Sequence, residues 1–119
     1  MPILIELPLP AKQLSPNSRC HWAAKARAVK YARDLAFVMA RRAGVQGLNW
    51  ERATMQATFH WSTKASHDAD NAMASLKSAC DGITSAGLLV NDSGLIPLPP
   101  VMSHDKRNPR VVLEFNEVM

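Results

Sequence analysis

The 119-residue sequence contains only two cysteines, Cys20 and Cys80, in no redox or metal-binding spacing. A secreted disulfide scaffold is therefore not expected. No apolar run approaches the ~20 residues a membrane helix needs. The opening MPILIELPLP lacks the basic-then-apolar layout of a signal peptide, so a cytoplasmic location is expected. Internal repeats and low-complexity segments are absent, and His21, His60 and His104 show no metal spacing. There is also no glycine-rich loop to cradle a diphosphate, which weighs against an enzyme of nucleotide-sized substrates.

What is present describes a folded domain. Hydrophobic residues make up 47% and charged residues 20% of the chain, values of a globular protein. Its length suits one domain, residues 1–119, burying roughly two-thirds of its unfolded surface. Fourteen Lys and Arg against ten Asp and Glu give a net charge of +4, and the pI is near 9.4. That excess suits a polyanionic partner, although basic small domains are common.

Hydrophobic patterning divides the chain into elements. Residues 3–7 read as a short strand closed by Pro8 and Pro10, followed by a Pro/Ser/Asn-bearing loop to Cys20. His21 to Ala43 reads as a helix with Asn17 or Ser18 as N-cap and Gly44 as C-cap. Its apolar arc holds Ala28, Val29, Ala32, Leu35, Ala36, Met39 and Ala43, with Arg27, Lys30, Arg33 and Arg41 opposite, around Phe37. Residues 53–61 alternate Ala53, Met55, Ala57, Phe59 and Trp61 with polar neighbours, as a half-buried strand does. A second helix is expected from Asp70 to Ala86, burying Met73, Leu76, Cys80 and Ile83. Leu95–Met102 is a poor strand, confined to an edge by Pro97, Pro99 and Pro100, and Val111–Phe115 is a better one. The order β-α-β-α-β-β predicts an α+β fold, one small mixed sheet packed by two main helices.

The chemistry-bearing residues cluster after the central strand. In extended backbone Asp68 and Asp70 project to one side, roughly 6.6 Å apart, and could converge on a hard divalent cation such as Mg²⁺. The competing explanation is helix capping, which accounts well for one aspartate and less well for two beside His67 and Asn71. Asp92 offers a third carboxylate, or an ordinary Asn-Asp-Ser-Gly turn. A continuous helix from Asp70 to Ala86 carries the chain ~24 Å away, whereas residues 87–92 span at most ~20 Å. Asp92 thus reaches Asp70 only if that helix is shorter or bent, or if two subunits share the site. Lys77 lies two turns beyond Asp70, placed either to neutralise a phosphate or to pair with Asp81.

Taken together, DADN opening a helix, KSACDGI on it and AGLLVND after it resemble the RusA-type Holliday junction resolvases. The LPLP opening and the Ser-Pro-Asn-Ser-Arg segment, with Asn17 and Arg19, are similar to that family's N-terminus, and the likeness spans nearly the whole chain. It implies a small, homodimeric, Mg²⁺-dependent endonuclease of recombination and repair (Mn²⁺ a possible substitute) that cuts four-way DNA junctions by paired nicks. Asp68, Asp70 and Asp92 match its metal-binding carboxylates, Lys77 its catalytic lysine, and Asn71 and Asn17 supporting positions. Three departures stand out. The interval before Lys77 is longer, three prolines interrupt a segment that should be strand, and Asn91 replaces one of a pair of aspartates.

Carboxylates that approach phosphates need surrounding positive charge. Candidate DNA-binding residues are Arg19, Lys25, Arg27, Lys30, Lys64, Lys106, Arg107 and Arg110, each otherwise a solvated surface charge. Arg41 and Arg42 complement the helix C-terminus. Trp22 and Tyr31 are candidate dimer contacts and Trp61 a packed residue, and His67, beside Asp68, is either a group that helps with phosphate or water or, more often, a loop histidine. A non-cleaving module that binds branched DNA is the alternative reading.

Overall fold

Alternation of side chains about a central strand dictates the architecture, seen in a computed structural model that describes residues 1–119. Strand β2 (Ala53–Trp61) buries Ala53, Met55, Ala57 and Phe59 and leaves the intervening residues half-exposed. Strand β5 (Arg110–Glu117) does the same with Val111, Leu113 and Phe115. The two pair antiparallel, with Met55 opposite Phe115 and Phe59 opposite Val111, so their apolar rows lie side by side. Strand β1 (Ile3–Leu7) pairs antiparallel with the other edge of β5. On the far side of β2 run two short parallel strands, β3 (Leu95–Pro97) and β4 (Val101–His104).

The proline-rich segment is thus two strands, not the single weak strand expected. Met55 pairs with Pro97 but Thr58 with Val101, so one extra residue is accommodated between them. The prolines are tolerated because the segment has β2 on one side only. Leu98 N–H donates to Met55 O at 2.9 Å, and the Gln56 side chain donates to Pro99 O at 2.8 Å. The result is a five-stranded mixed sheet whose buried face is packed by helices, the α+β fold that the patterning predicts.

Helix α1 (Trp22–Arg42) buries Ala36 and Ala40 and lays Leu35, Met39 and Ala43 against the core. Its N-cap is His21, whose side chain accepts Ala23 N–H at 3.1 Å, rather than Asn17 or Ser18. Asn17 instead belongs to a turn in which its own N–H donates to Ser15 Oγ at 3.3 Å. At the other end Ala43 is the cap, and Gly44 stands one residue beyond it at φ +88°. Gly44 N–H reaches Arg41 O at 3.1 Å and Val45 N–H reaches Ala40 O at 3.3 Å. Val45 and Ala40 are both fully buried, completing the apolar contact of this helix-ending motif. Phe37, placed on the basic face by the helical wheel, packs against the core with the Arg41 guanidinium 4.6 Å from its ring centre.

The second helix is broken. Helix α2 (Ala69–Ala74) and helix α3 (Lys77–Ser85) replace the single Asp70–Ala86 helix expected. Ser75 explains the break. Its hydroxyl donates to Ala72 O at 2.6 Å, the carbonyl that Leu76 N–H would take in a continuous helix. Leu76 N–H turns to Met73 O at 3.1 Å instead, and Leu76 becomes fully buried in the core. Helix α3 then docks on α1 at Gly82, where an added Cβ would lie 2.2 Å from Arg33 O. Arg41, expected to serve its own helix end, donates from Nε to Ala86 O at 2.8 Å and so ties α1 to the end of α3.

Candidate functional site

The loop after β2 delivers Asp68 as N-cap of α2, its Oδ1 accepting Asn71 N–H at 3.0 Å. Capping therefore occupies one oxygen of Asp68. Asp70 stands in the first turn of α2, exposed and with no hydrogen-bonding or ionic partner within the chain. Asp92 opens a short 3-10 turn, Asp92–Gly94, in which Asn91 accepts Ser93 N–H at 3.1 Å. This gives Asn91 a local turn-capping role. Two contacts fix that turn. Val90 N–H donates to Trp50 O at 3.0 Å, and a Cβ on Gly94 would lie 2.1 Å from Glu51 O.

Three of the depressions around the α2–α3 break carry charged side chains. The first, of about 340 Å³, is lined by Met73, Lys77, Asp81, Asp92 and the edge of β3. Met73 and Ala74 on its wall lie one helical turn beyond Asp70. Cys80 also lines it, but burial pushes its thiol up to about 12, with the neighbouring Asp81 adding to the shift. It is a neutral packing group that contacts Met55 Sδ at 3.6 Å, not a nucleophile. The second depression, about 360 Å³, is lined by Lys25 of α1 and Lys77 of α3. The third, about 260 Å³, contains Lys12, Ser15, His67, Asp68 and Asn71.

Lys77 pairs loosely with Asp81, Nζ to Oδ1 at 3.7 Å, with the lysine side chain 76% exposed. An ion pair this wet is worth only a few tenths of a kcal/mol. Lys77 is therefore free to exchange its partner for a ligand.

The structure brings Lys77 and Asp92 into one depression and Asp68 and Asn71 into another, with Asp70 on α2. No three His, Cys, Asp or Glu side chains stand together as a ready-made metal centre. The donor types nevertheless suit Mg²⁺, which one or two carboxylates hold when water and a substrate phosphate complete its shell. The uncommitted oxygen of Asp68 and the unpaired carboxylate of Asp70, at the start of α2, are donors of that type, whereas Asp92 opens on the first depression.

Among the basic candidates, Arg19, Lys25, Arg27, Lys64, Lys106 and Arg107 are exposed and make no ion pair. Lys30 is bound to Asp34 at 2.6 Å. Arg110 differs most from expectation. It bridges Asp105 at 2.9 Å and Glu6 at 3.3 Å, with 23% of its side chain exposed. It locks the β4–β5 turn onto β1, which removes it from the free basic surface. Asp105 also accepts the N–H groups of Arg107 and Asn108, at 3.2 and 3.1 Å. The Arg110 hydrogen bond first, then that of Asn108, holds its carboxyl below the ordinary value.

Sequence reasoning missed Lys12 and Ser15, which only the path of the proline-rich segment brings beside Asp68, and Ser66, two residues before it. It also undervalued His67, which stacks on Trp61 with ring centres 3.8 Å apart and planes 9° from parallel. Trp22 and Tyr31 are exposed, as their place off the core arc predicts. No helix is long and apolar enough to cross a membrane.

Fold and site define the chain as a small α+β domain with a carboxylate- and lysine-bearing groove around a broken helix. Compared with known proteins, it matches no family model. It is 38% identical over 117 residues to an uncharacterized protein of Xylella fastidiosa (strain Temecula1 / ATCC 700964), covering 96% of this chain and 76% of that protein. The chain belongs to the family of that bacterial protein.

Proposed function

We propose that the chain is a Mg²⁺-dependent, structure-specific endonuclease that resolves four-way DNA junctions as a cytoplasmic homodimer in recombination and repair. The observation that carries this reading is the break at Ser75. It cuts the helix that begins beside Asp70 to six residues, in place of the continuous helix that would carry the chain ~24 Å away. Lys77 and Asp92 then open on one depression whose wall lies a turn from Asp70. The RusA-type resemblance of the DADN, KSACDGI and AGLLVND segments supplies the reaction.

Asp68 through its free oxygen, Asp70 and Asp92 would hold the ion at the scissile phosphate. Mg²⁺ supplies polarisation of a phosphoryl oxygen and a lowered pKa for the attacking water. Lys77 exchanges its loose contact with Asp81 for the negative charge that grows on the phosphoryl group. Lys25, across the neighbouring depression, grips the adjoining backbone, and Arg19, Arg27, Lys64, Lys106 and Arg107 extend that grip. Two such sites related by a two-fold axis match the symmetry of paired nicks.

The test uses a labelled four-way junction and a linear duplex of the same sequence. Each is incubated with protein in Mg²⁺, in EDTA, and with Asp70→Asn protein in Mg²⁺. Paired nicks in the junction are expected, rare on duplex, absent in EDTA and reduced roughly 10²-fold or more by the substitution. Cutting that persists in EDTA, or in Asp70→Asn at the wild-type rate, overturns the assignment. A second reading, a branched-DNA-binding module without cleavage, is favoured by the Asn71 cap that Asp68 already serves. Tight junction binding with no cutting in Mg²⁺ or Mn²⁺ would select it.

A further inference from the structure

His67 Nε2 is the chain's single buried side-chain nitrogen or oxygen without a hydrogen-bond partner. Leaving such an atom unpaired forfeits its hydration with nothing in return. The imidazole is nonetheless held in place, stacked on Trp61, which itself stacks on Phe59 with ring centres 5.2 Å apart. It lines the depression that also contains Lys12, Ser15, Ser66, Asp68 and Asn71. Lys12 is exposed and makes no ion pair, and the Asn71 side chain has no partner within the chain. One ammonium, an amide, three hydroxyls (that of Ser75 engaged by Ala72 O) and an imidazole therefore surround about 260 Å³, against a single carboxylate already engaged through one oxygen.

We infer that this depression is a phosphate subsite, taking a backbone phosphodiester of the nucleic acid next to the one the carboxylates address. Lys12 supplies the charge, Asn71 and the serine hydroxyls supply hydrogen bonds, and His67 serves as a positioning residue fixed by Trp61. The set suits a phosphate because its groups offer mostly donors and its net charge is not negative. The inference rests on the nucleic-acid reading only for the source of the phosphate.

The experiment follows backbone amide resonances of Ser66 and Asn71 in ¹⁵N-labelled protein, in EDTA. The probes are inorganic phosphate and a dinucleoside monophosphate, titrated separately at matched ionic strength. Saturable shifts with both are expected. Lys12→Ala should weaken each about tenfold, as loss of a charge-assisted contact does. His67→Phe keeps an aromatic plane on Trp61 and should weaken binding several-fold with the fold intact. Arg52→Ala, at the opposite end of β2 from Trp61, should change neither titration. Absence of saturable shifts, or titrations unmoved by Lys12→Ala, overturns the subsite. Shifts with inorganic phosphate alone mean an adventitious ion only and overturn the backbone assignment. The subsite and the nuclease reading fail separately, because a chain that cuts junctions without these shifts lacks only the subsite. Shifts without cutting leave the subsite standing and remove the nuclease.

Discussion

Gly82→Ala places two opposing effects on one residue. Within a helix, alanine is favoured over glycine by about 1 kcal/mol, so propensity alone makes the substitution stabilising. Packing opposes it. The new Cβ would lie 2.2 Å from Arg33 O, 3.0 Å from its carbonyl carbon and 3.2 Å from its Cα, all backbone atoms of α1. No rotamer relieves such a contact. To bring 2.2 Å to the 3.0 Å below which real contacts essentially never fall, α1 and α3 must separate by nearly 1 Å. Their buried faces include Ala36, Ala40, Ala79 and Ile83, and the Arg41–Ala86 hydrogen bond spans the same contact. Overpacking and a stretched tie together cost about 3 kcal/mol. The clash therefore wins, by about 2 kcal/mol, which in a domain of this size lowers Tm by roughly 8 °C. Thermal unfolding followed by circular dichroism measures it. An unchanged or raised Tm would refute the close approach of the two helices. The helical signal at low temperature should persist, because the loss lies in docking and not in helix formation.

Two further outcomes follow from individual contacts. Asp105→Asn removes a carboxylate whose folded pKa lies below its ordinary 3.8. A depressed pKa adds stability that is present above 3.8 and lost as pH falls toward the folded value. The Tm gap between wild type and Asp105→Asn should thus be widest near neutrality and close below pH 4; a gap independent of pH would count against the Arg110 contact. Ser75→Ala removes the hydroxyl that holds Ala72 O, and should cost about 1 kcal/mol. It also lets α2 and α3 approach one continuous helix, so junction cleavage should fall further than the stability loss explains. Undiminished cleavage in a folded Ser75→Ala protein would show that the break does not shape the site.

Period-2 alternation exposed β2 and β5 in the sequence because each has one buried face, and the Ala-rich arc exposed α1 for the corresponding reason. The pairing was not legible, since strand order depends on which edges meet and not on any strand's own pattern. The broken helix was hidden because Met73, Leu76, Cys80 and Ile83 keep helical spacing across the break. The signal was Ser75, a residue able to take a carbonyl from the backbone, and it reads as a breaker only once its burial is known. The site divides similarly. Asp68, Asp70 and Asn71 are adjacent in sequence and were found together, while Asp92 and Lys77 stood beside equally ordinary turn and ion-pair readings until the resemblance gave them roles. Lys12 and Ser15 lie more than fifty residues from Asp68 and share no motif with it. Arg110 was misjudged because composition counts a cation and does not show the acids that hold it.

The position of β5 bears on how the molecule assembles. It lies between β1 and β2, joining Ile3 to Phe115 and Met55 to the same phenylalanine. A chain emerging from the ribosome can form α1 early, since its hydrogen bonds are local. It cannot join β1 to β2 until residues 110–117 arrive, because neither pairs with the other. Although β2 can pair with β3 and β4 first, joining β1 to the sheet waits on the longest loop closure in the molecule, and such non-local pairing slows folding. Until then β1 and β2 each carry an open edge and an apolar face, the state most exposed to aggregation. Val111, Leu113 and Phe115 close that interval in one step, which makes the last strand made the keystone of the first.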